Sequence, residues 1–419
     1  MKIRVLNTAF YIILFLIAVS STRLISLPTR VIELLLILFI LLYLIEHRFK
    51  IILTRDDVKI LGLFCVPWLI IIVYSLIIQF SRSMAADYKT HTLFLCLEMI
   101  LYFLCFYIAY DKLKEKVVDY IFIFFVVAYI PKIIAHFIQF GLIRGITLLY
   151  SEENLSSGSA LEINKLTYLF GLISVYYLFC LLVKVNNKDK NKRFFILSLI
   201  MTILGIKRIV TFSVILTIVM LLLLLRIHRR GLLFSILTAI SVRMCVFAMV
   251  YVIMIYNGTY EQILNRFGIN SMGRTVYWNL FRPTYRISPT FLGNGISFTH
   301  RVIHDYGYSI IKFNKNQFIS ALHNDVLAIY IGLGFFGSIL YWIWFFMIKC
   351  FAFGIKHPAV GVFSLVVSVQ YFIDFTVSNA GLSNDVFAIS FILIVVAYFE
   401  YKKNLYKIQP ENTYEQRLS

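Results

Sequence analysis

Apolar stretches long enough to cross a bilayer recur along this chain, and they restrict its fold more than any other feature of the sequence. A stretch of about 17–25 apolar residues spans the hydrocarbon layer as an α-helix, which satisfies its own backbone hydrogen bonds there. Hydrophobic residues make up 60% of the 419 residues and charged residues only 15%, too few for the surface of a soluble protein of this size. We therefore predict an all-α, polytopic integral membrane protein.

Twelve membrane spans are predicted from the positions of the apolar stretches. They cover about residues 5–21, 30–46, 58–80, 90–110, 117–140, 163–183, 194–206, 209–225, 232–256, 322–348, 359–377 and 384–400. This division places nine spans in residues 1–256, one large loop in 257–321, three spans in 322–400 and a tail in 401–419. The N-terminal stretch has the length of a signal peptide, but no small-residue cleavage site follows it, so we expect it to remain as the first span.

The basic residues indicate how the spans are oriented. Most of them lie in short clusters between apolar stretches, as in Lys112, Lys114 and Lys116, in Lys188, Lys190, Lys192 and Arg193, and in Arg226, Arg229 and Arg230. Such clusters hold their loops in the cytoplasm, which places both termini there and the large loop outside. The formal net charge of +19 therefore reflects membrane topology rather than nucleic-acid binding, and anionic lipids or an anionic substrate remain as partners.

The large loop combines positive charge with aromatic side chains. Its basic residues are Arg266, Arg274, Arg282, Arg286, Arg301, Lys312 and Lys315, and its acidic residues are Glu261 and Asp305. Trp278 and several tyrosines lie among them, which suits an anionic, sugar-bearing ligand. Because unstructured loops of about 64 residues are uncommon, we expect this one to be folded and functional. The alternative is a folded cap whose charges are simply solvated.

A polar cluster follows the loop, where the chain re-enters the membrane. His323, Asn324 and Asp325 stand at the outer end of the tenth predicted span. Histidine exchanges a proton near neutral pH, so His323 is a candidate general base, with Asn324 as a candidate substrate-binding neighbour. The alternative is that His323 only caps or anchors the helix at the interface.

Two adjacent cations, Lys207 and Arg208, interrupt two apolar stretches with almost no loop between them. The positive-inside rule disfavours cations in an outer turn. A bound phosphate would stabilise them, since a guanidinium group binds phosphate oxygens through two parallel hydrogen bonds. The alternative is that both side chains only extend to the lipid headgroups.

Two further cations lie within predicted spans. Arg243 is near the middle of the ninth span, and Lys132 follows Pro131 in the fifth. A central arginine costs about 2.5–3.5 kcal/mol to insert, so we expect Arg243 to face the bundle interior or a wet cavity. Pro131 is expected to open its helix near Lys132 and His136. These cations either line a substrate cavity or form structural pairs, with Asp374 as an available acidic partner.

Neither a nucleotide site nor a metal site is predicted. The glycines at 332, 334 and 337 match the GxGxxG pattern, but they lie in an apolar span and not between a strand and a helix. We expect them to permit close helix packing. The outer loops hold no acidic pair of the DxD type, so basic side chains are expected to neutralise a phosphate ligand without a metal or other cofactor.

The polar cluster at the tenth span resembles a motif of the O-antigen polymerase/ligase family of membrane glycosyltransferases. That motif is similar to the sequence formed by His323, Asn324, Leu327, Gly334 and Gly337. An acidic residue often precedes the two glycines in the family, whereas Gly332 stands there in this chain.

The large loop and the tight turn resemble the same family. Gly273-Arg274, Trp278 and the glycines at 293 and 295 are similar to its long-loop pattern. Arg208 resembles the basic residue of the family's Ser-Arg turn, although Lys207 stands where that turn has serine. The specific motifs cover about residues 200–340, and the topology extends the resemblance to the whole chain.

The resemblance implies a GT-C-like architecture and a metal-independent polymerase of lipid-linked repeat units. The growing glycan would pass from undecaprenyl pyrophosphate to a new lipid-linked unit at the periplasmic face of the cell inner membrane. The expected catalytic residues are His323, Arg208 and Arg274, and the expected substrate-binding residues are Lys207, Asn324, Lys132, Arg243 and Trp278. A co-polymerase that regulates chain length is the expected protein partner.

Three other functions fit parts of the sequence. An O-antigen ligase would use the same donor with lipid A-core as acceptor. A transporter or flippase of lipid-linked oligosaccharides explains the many spans and Arg243, but not the large loop or the His323 motif. A structural scaffold for polysaccharide assembly would not need His323 for polymer length.

Overall fold

The chain folds as a bundle of α-helices. The computed structural model describes residues 2–22, 25, 28–148, 164–185, 187–205, 208–268, 274–310, 322–376 and 383–408, and these residues form no β-strand. The helices are α1 Lys2–Ser21, α2 Thr29–Glu46, α3 Arg55–Ser81, α4 Ala86–Leu113, α5 Lys116–Phe140, α6 Leu142–Leu148, α7 Asn164–Leu182, α8 Lys188–Leu204, α9 Arg208–Leu225, α10 Arg230–Tyr256, α11 Thr259–Arg266, α12 Arg274–Phe281, α13 Phe298–Ile310, α14 Asp325–Trp342, α15 Lys349–Gly354, α16 Pro358–Phe375 and α17 Asn384–Ile408. A π-helical turn, Ile343–Ile348, joins α14 to α15.

Nine helical segments of the described chain are long and apolar enough to cross a membrane. They are α3, α4, α5, α7, α9, α10, the continuous segment Asp325–Gly354, α16 and α17. Each of the twelve predicted spans coincides with a helix, but three of these helices, α1, α2 and α8, are not among the nine. A helical, multi-pass membrane protein is thereby confirmed in outline, and the number twelve stays a prediction.

Successive long helices run in opposite directions and define two faces of the bundle. At one face, the Ser21 hydroxyl donates to Asp385 at 3.3 Å and Lys165 pairs with the same carboxylate at 2.7 Å. At the other face, Lys402 pairs with Asp56 at 2.5 Å. We name the first the loop face, because residues 257–268 and 274–310 lie there, and the second the opposite face. Both described ends of the chain lie at the opposite face, and its assignment to the cytoplasm rests on the Lys and Arg distribution.

The centre of the bundle is formed by α7, α16 and α17. In their apolar windows, 78%, 83% and 83% of the residues are buried, against 28% for α10 and 33% for α3. Phe179 of α7 stacks on Phe363 of α16 with ring centroids 4.6 Å apart. The peripheral helices therefore surround a protein-lined centre and turn much of their apolar surface outward.

Part of the large loop enters the bundle and packs against a break in α14. Gly334 has a left-handed backbone (φ 73), so the helix stops and restarts there. The amides of Asn294 and Gly295 donate to the carbonyl of Gly332 at 3.1 and 2.8 Å, and Phe335 N donates to Phe291 O at 2.9 Å. Loop backbone therefore satisfies the groups that the break frees, as the interior of a membrane protein requires.

The glycines of the GxGxxG pattern admit this loop rather than a neighbouring helix, so the expectation of helix packing is wrong for two of them. A Cβ on Gly332 would lie 2.8 Å from Ile296 Cα, and one on Gly334 would overlap the backbone of Phe291 and Leu292. Gly293 also has a positive φ of 89 and faces the Gly332 carbonyl. At the third position, Gly337, the nearest neighbour is the Leu333 side chain of the same helix, at 2.9 Å.

Helix α13 fastens the loop to the start of α4. Arg301 pairs with Asp87 at 2.9 Å, and the rings of His91 and His300 lie 6.2 Å apart. Burial, and then the neighbouring His91, lowers the pKa of His300 from 6.5 to about 4. His300 is therefore neutral at neutral pH when α13 is docked.

Acid is expected to weaken the docking of α13. Undocked His300 binds a proton below about pH 6.5, whereas docked His300 resists protonation until about pH 4. Above about pH 6.5, His300 takes nothing from the free energy of docking. Between about pH 6.5 and pH 4, that free energy falls as undocked His300 binds a proton and docked His300 does not. Below about pH 4 both states are protonated, so the contribution of His300 stays constant. Hydrogen exchange of residues 298–304 measured across this range tests the expectation. His300→Phe should flatten the profile, and a flat wild-type profile would contradict it.

Candidate functional site

The polar cluster that follows the loop is tied into the bundle by Asn324. Its side-chain oxygen accepts from Leu327 N at 3.0 Å, which caps α14, and its amide donates to the Tyr251 hydroxyl at 3.2 Å. Both Asn324 and Asp325 are buried, whereas His323 is half-buried. The backbone of His323 is left-handed, with φ 53. A non-glycine residue in this region is uncommon, although histidine adopts it more readily than most residues.

Aromatic side chains from the loop and from α10 form one wall beside this cluster. The Trp278 indole donates to Leu322 O at 3.1 Å, directly before His323. The Tyr260 ring lies 5.5 Å from Trp278 and 5.3 Å from Tyr251. The hydroxyl of Tyr251 in turn donates to Thr376 O at 2.7 Å. Three segments far apart in sequence therefore meet beside His323.

Arg274 supplies positive charge at the same place. It begins α12, four residues before Trp278, and it is half-buried. Its guanidinium lies within electrostatic range of Tyr251. A small crevice opens beside this wall between α11 and α12, lined by Tyr260, Thr275 and Trp278 among others. The site thus joins a half-buried histidine, a cation and aromatic faces at the membrane interface, a combination that suits a sugar joined to a phosphate.

Arg208 lies at the loop face but is separated from His323 by α16. It begins α9 and its side chain is exposed. One turn further, the Ser213 hydroxyl donates to Asp374 of α16 at 3.2 Å, and α16 ends beside Thr376, the acceptor of Tyr251. Helix α16 therefore lies between Arg208 and the site. Its predicted neighbour Lys207 lies outside the described residues.

Arg243 does not lie in the interior of the bundle, and the expectation that it would is wrong. It is exposed on α10, on a face it shares with Val242, Val246 and Phe247, which are 44%, 57% and 48% exposed. The buried side of this part of α10 carries Ser241, which donates to Phe346 O at 3.3 Å. The helix thus turns small and hydroxylic groups inward, and Arg243 is placed away from the aromatic wall.

Lys132 belongs to a different part of the bundle. It is half-buried on α5, which packs against α1, α4, α6 and α7 rather than against α10 or α14. Pro131 does not interrupt α5, which continues to Phe140, so the expected opening of the helix is wrong. His136 is buried and bonds Gly145 O at 3.1 Å, which joins α5 to α6. The described geometry does not bring Lys132 to His323.

Comparisons with known proteins add no family to this geometry. No family model, no curated protein and no solved structure matches the chain. The resemblance to the O-antigen polymerase/ligase family therefore rests on the motifs themselves.

Several polar residues at the loop face were missed by sequence reasoning. Gln79 of α3 donates to Thr92 of α4 at 2.9 Å, and Thr92 bonds Ser297 of the loop at 2.6 Å. Arg82 bonds the Asn294 side chain. Their position at the ends of apolar stretches could have marked them as contacts of the loop. The sequence does not indicate which loop residue each of them contacts.

Removing the Asn324 cap is expected to loosen the start of α14. Asn324→Ala deletes the acceptor of Leu327 N and the donor to Tyr251, which should lower the free energy of unfolding by about 1–2 kcal/mol. Asn324→Ser keeps a capping oxygen and should recover most of that loss. Thermal unfolding of the purified variants in detergent measures both, and equal loss in the two variants would contradict the capping role.

Proposed function

We propose that the protein is an O-antigen or related surface-polysaccharide polymerase of the cell inner membrane. The observation that carries the proposal is the convergence of His323, Trp278 and Arg274 at one membrane interface, with Asn324 fixing the backbone beside the histidine. A glycan carried on a lipid diphosphate presents sugar faces and negative charge at the same depth. Aromatic rings and guanidinium groups are the side chains that recognise these two features.

The proposed reaction moves the growing glycan from undecaprenyl pyrophosphate to a new lipid-linked repeat unit. A hydroxyl of the acceptor sugar attacks the anomeric carbon of the donor, and the bond from that carbon to the diphosphate oxygen breaks. His323 accepts the proton of the attacking hydroxyl. Arg274 stabilises the charge on the leaving diphosphate. Arg208, which α16 separates from His323, is assigned no part in this step. The products are the elongated glycan on the acceptor lipid and free undecaprenyl pyrophosphate.

Polysaccharide from a deletion strain, separated on a gel, tests the proposal in the cell. Loss of the long polymer ladder, with single repeat units remaining, supports a polymerase. Intact polymer left on its lipid carrier would instead identify a ligase. The purified protein with lipid-linked repeat units provides the direct test, because new glycosidic bonds must appear without any added protein.

A transporter of lipid-linked oligosaccharides is the second candidate, and one observation favours it. Glu98 within α4 hydrogen-bonds Glu33 of α2 and accepts from Asn384 of α17, beside the Lys165–Asp385 pair. A carboxyl group held within a membrane helix beside a second carboxyl group is a candidate element of a proton pathway, as in proton-coupled carriers. In proteoliposomes, a transporter moves the lipid-linked unit across the bilayer and leaves its glycosidic bonds unchanged. Glu98→Gln should then block movement, whereas polymerisation should not depend on it.

A further inference from the structure

The opposite face contains a cavity of about 660 Å³ that the proposed polymerisation does not use. It lies between α2 and α3 over a floor formed by α4, since both helices pack against α4. Its deeper wall is apolar and includes Ile40, Leu61, Leu104 and Phe399. A cavity with this shape, between two membrane helices, has the dimensions and the lining of a site for a hydrocarbon chain.

The mouth of this cavity carries charges of both signs. The lysines at the mouth or beside it are Lys50, Lys112 and Lys114, and the carboxylates are Glu46, Asp57 and Asp111. Lys112 contacts Glu46 at 3.9 Å, and Lys114 contacts Asp111 at 3.3 Å. Because the two signs balance, the mouth suits a headgroup with one positive and one negative group better than a purely anionic one.

The hydrogen bonds show which of these groups are available to a ligand. Asp57 is already saturated, since it accepts from Thr54 N at 2.8 Å, from the Thr54 hydroxyl at 2.6 Å and from Tyr107. Lys50 is exposed and makes no side-chain hydrogen bond or ion pair with the described residues. Asp111 is 47% exposed and Lys114 is 53% exposed, so their contact leaves both open to a third group.

His47 at the mouth lies between Tyr43 and Lys112 and contacts both. Its Nδ1 lies 2.9 Å from the Tyr43 carbonyl, which only accepts, so Nδ1 carries the proton. Its Nε2 lies 3.1 Å from the Lys112 ammonium, which only donates, so Nε2 accepts. Both ring nitrogens are therefore engaged within the protein, and the groups of the mouth that remain for a ligand are the lysines and carboxylates.

The segment that closes the mouth is placed to lie at the membrane interface. It joins α2 to α3, and its Phe49, Ile52 and Leu53 side chains are 69%, 94% and 48% exposed. Three exposed apolar side chains in a short connection between membrane helices are best covered by lipid. The charged mouth thus sits at headgroup depth, with the apolar cavity directed towards the acyl chains.

We propose that this cavity binds a zwitterionic glycerophospholipid, with the phosphate held by Lys50 and Lys114, the ammonium by Asp111, and one acyl chain between α2 and α3. The phosphate replaces Asp111 as the partner of Lys114, and the ammonium of the lipid then compensates Asp111. In this arrangement Asp111 keeps a cationic partner after Lys114 turns to the phosphate, and a headgroup without an ammonium does not supply one.

The test measures binding of a fluorescent short-chain phosphatidylethanolamine to the full-length protein in detergent, in competition with unlabelled lipids. Unlabelled phosphatidylethanolamine should displace the probe at about tenfold lower concentration than phosphatidylglycerol. Lys50→Gln should weaken probe binding by about tenfold. Lys192→Gln, at another exposed lysine of the opposite face, should leave it unchanged.

Three results would overturn the proposal. Equal displacement by the two lipids would refute the zwitterionic preference, and displacement by diacylglycerol as effective as by phosphatidylethanolamine would refute headgroup recognition. Unchanged binding in Lys50→Gln, with an unaltered elution profile on gel filtration, would refute the site itself. Polymerisation activity is not measured in this experiment, so its outcome is independent of the proposed function.

Discussion

Replacing His323 with glycine is expected to abolish polymer formation while the protein remains folded. The residue has φ 53, a conformation that glycine adopts without strain, so this substitution removes the imidazole and relaxes the backbone at once. Loss of a general base should reduce the rate by about 100-fold or more. The rate of polymer formation by the purified protein from lipid-linked repeat units measures the effect, and thermal unfolding monitors the fold.

Two companion variants separate the imidazole from the backbone in this experiment. His323→Asn tolerates the left-handed conformation and retains a polar group, but it exchanges no proton near neutral pH, so it should be as inactive as glycine. His228→Gly removes an exposed histidine of the opposite face and should be fully active. Polymer at wild-type levels from His323→Gly would refute the proposed role of His323.

Replacing Gly334 with alanine is expected to destabilise the protein more than any other single methyl group added to α14. The new Cβ would overlap the backbone of Phe291 and Leu292, and the residue would keep a φ of 73 that alanine rarely adopts. The combined cost should exceed about 3 kcal/mol, because backbone atoms cannot move aside as flexible side chains do. Either the loop leaves the break, or the helix does not form it.

Gly231→Ala provides the matched control for this substitution. Gly231 lies in the first turn of α10, and a Cβ there would have no heavy atom within 4 Å. Alanine should be neutral or slightly stabilising at that position. The midpoint of thermal unfolding and the yield of protein that extracts without aggregating measure both variants. A Gly334→Ala protein as stable as Gly231→Ala would show that the loop is not anchored at the break.

The helices themselves were predictable because the physical requirement is local. A segment that must satisfy its backbone in lipid needs only length and apolar composition, and both are visible along the chain. Each predicted span therefore coincides with a helix, although three of these helices are less clearly membrane-spanning than the rest. The start of a span at His323, Asn324 and Asp325 was equally visible, but capping was considered only for His323, whereas Asn324 makes the cap.

The orientation of side chains around each helix was not predictable in the same way. Arg243 was expected to face the bundle interior because a charge is costly in lipid. The neighbouring helices, however, decide which side of α10 faces that interior. Ser241 faces the π-helical turn of the next segment, and that fixes Arg243 outward. Because α10 is apolar on all its sides, its sequence does not show which side faces the bundle.

The break in α14 was hidden for a different reason. Glycines within an apolar run are compatible with close helix contact, with a kink or with an inserted loop, and the three cases have the same local composition. The inserted loop is recognised only from its backbone hydrogen bonds to the break, and these come from residues 291–295, about forty residues earlier in the chain. The same holds for Tyr251 and Tyr260, which join the site through contacts that span α10, the loop and α14.

The inserted loop also determines when the C-terminal part of the protein can be completed during biosynthesis. Until residues 294 and 295 arrive, the Ile331 and Gly332 carbonyls lack the donors that they have in the finished bundle, and each unpaired group costs several kcal/mol in lipid. With the loop face outside, as proposed, this segment must first be exported and then return to meet a helix that is translated after it. A delay in export of the loop would therefore leave the segment Asp325–Gly354 unfinished, even though its own sequence is unchanged.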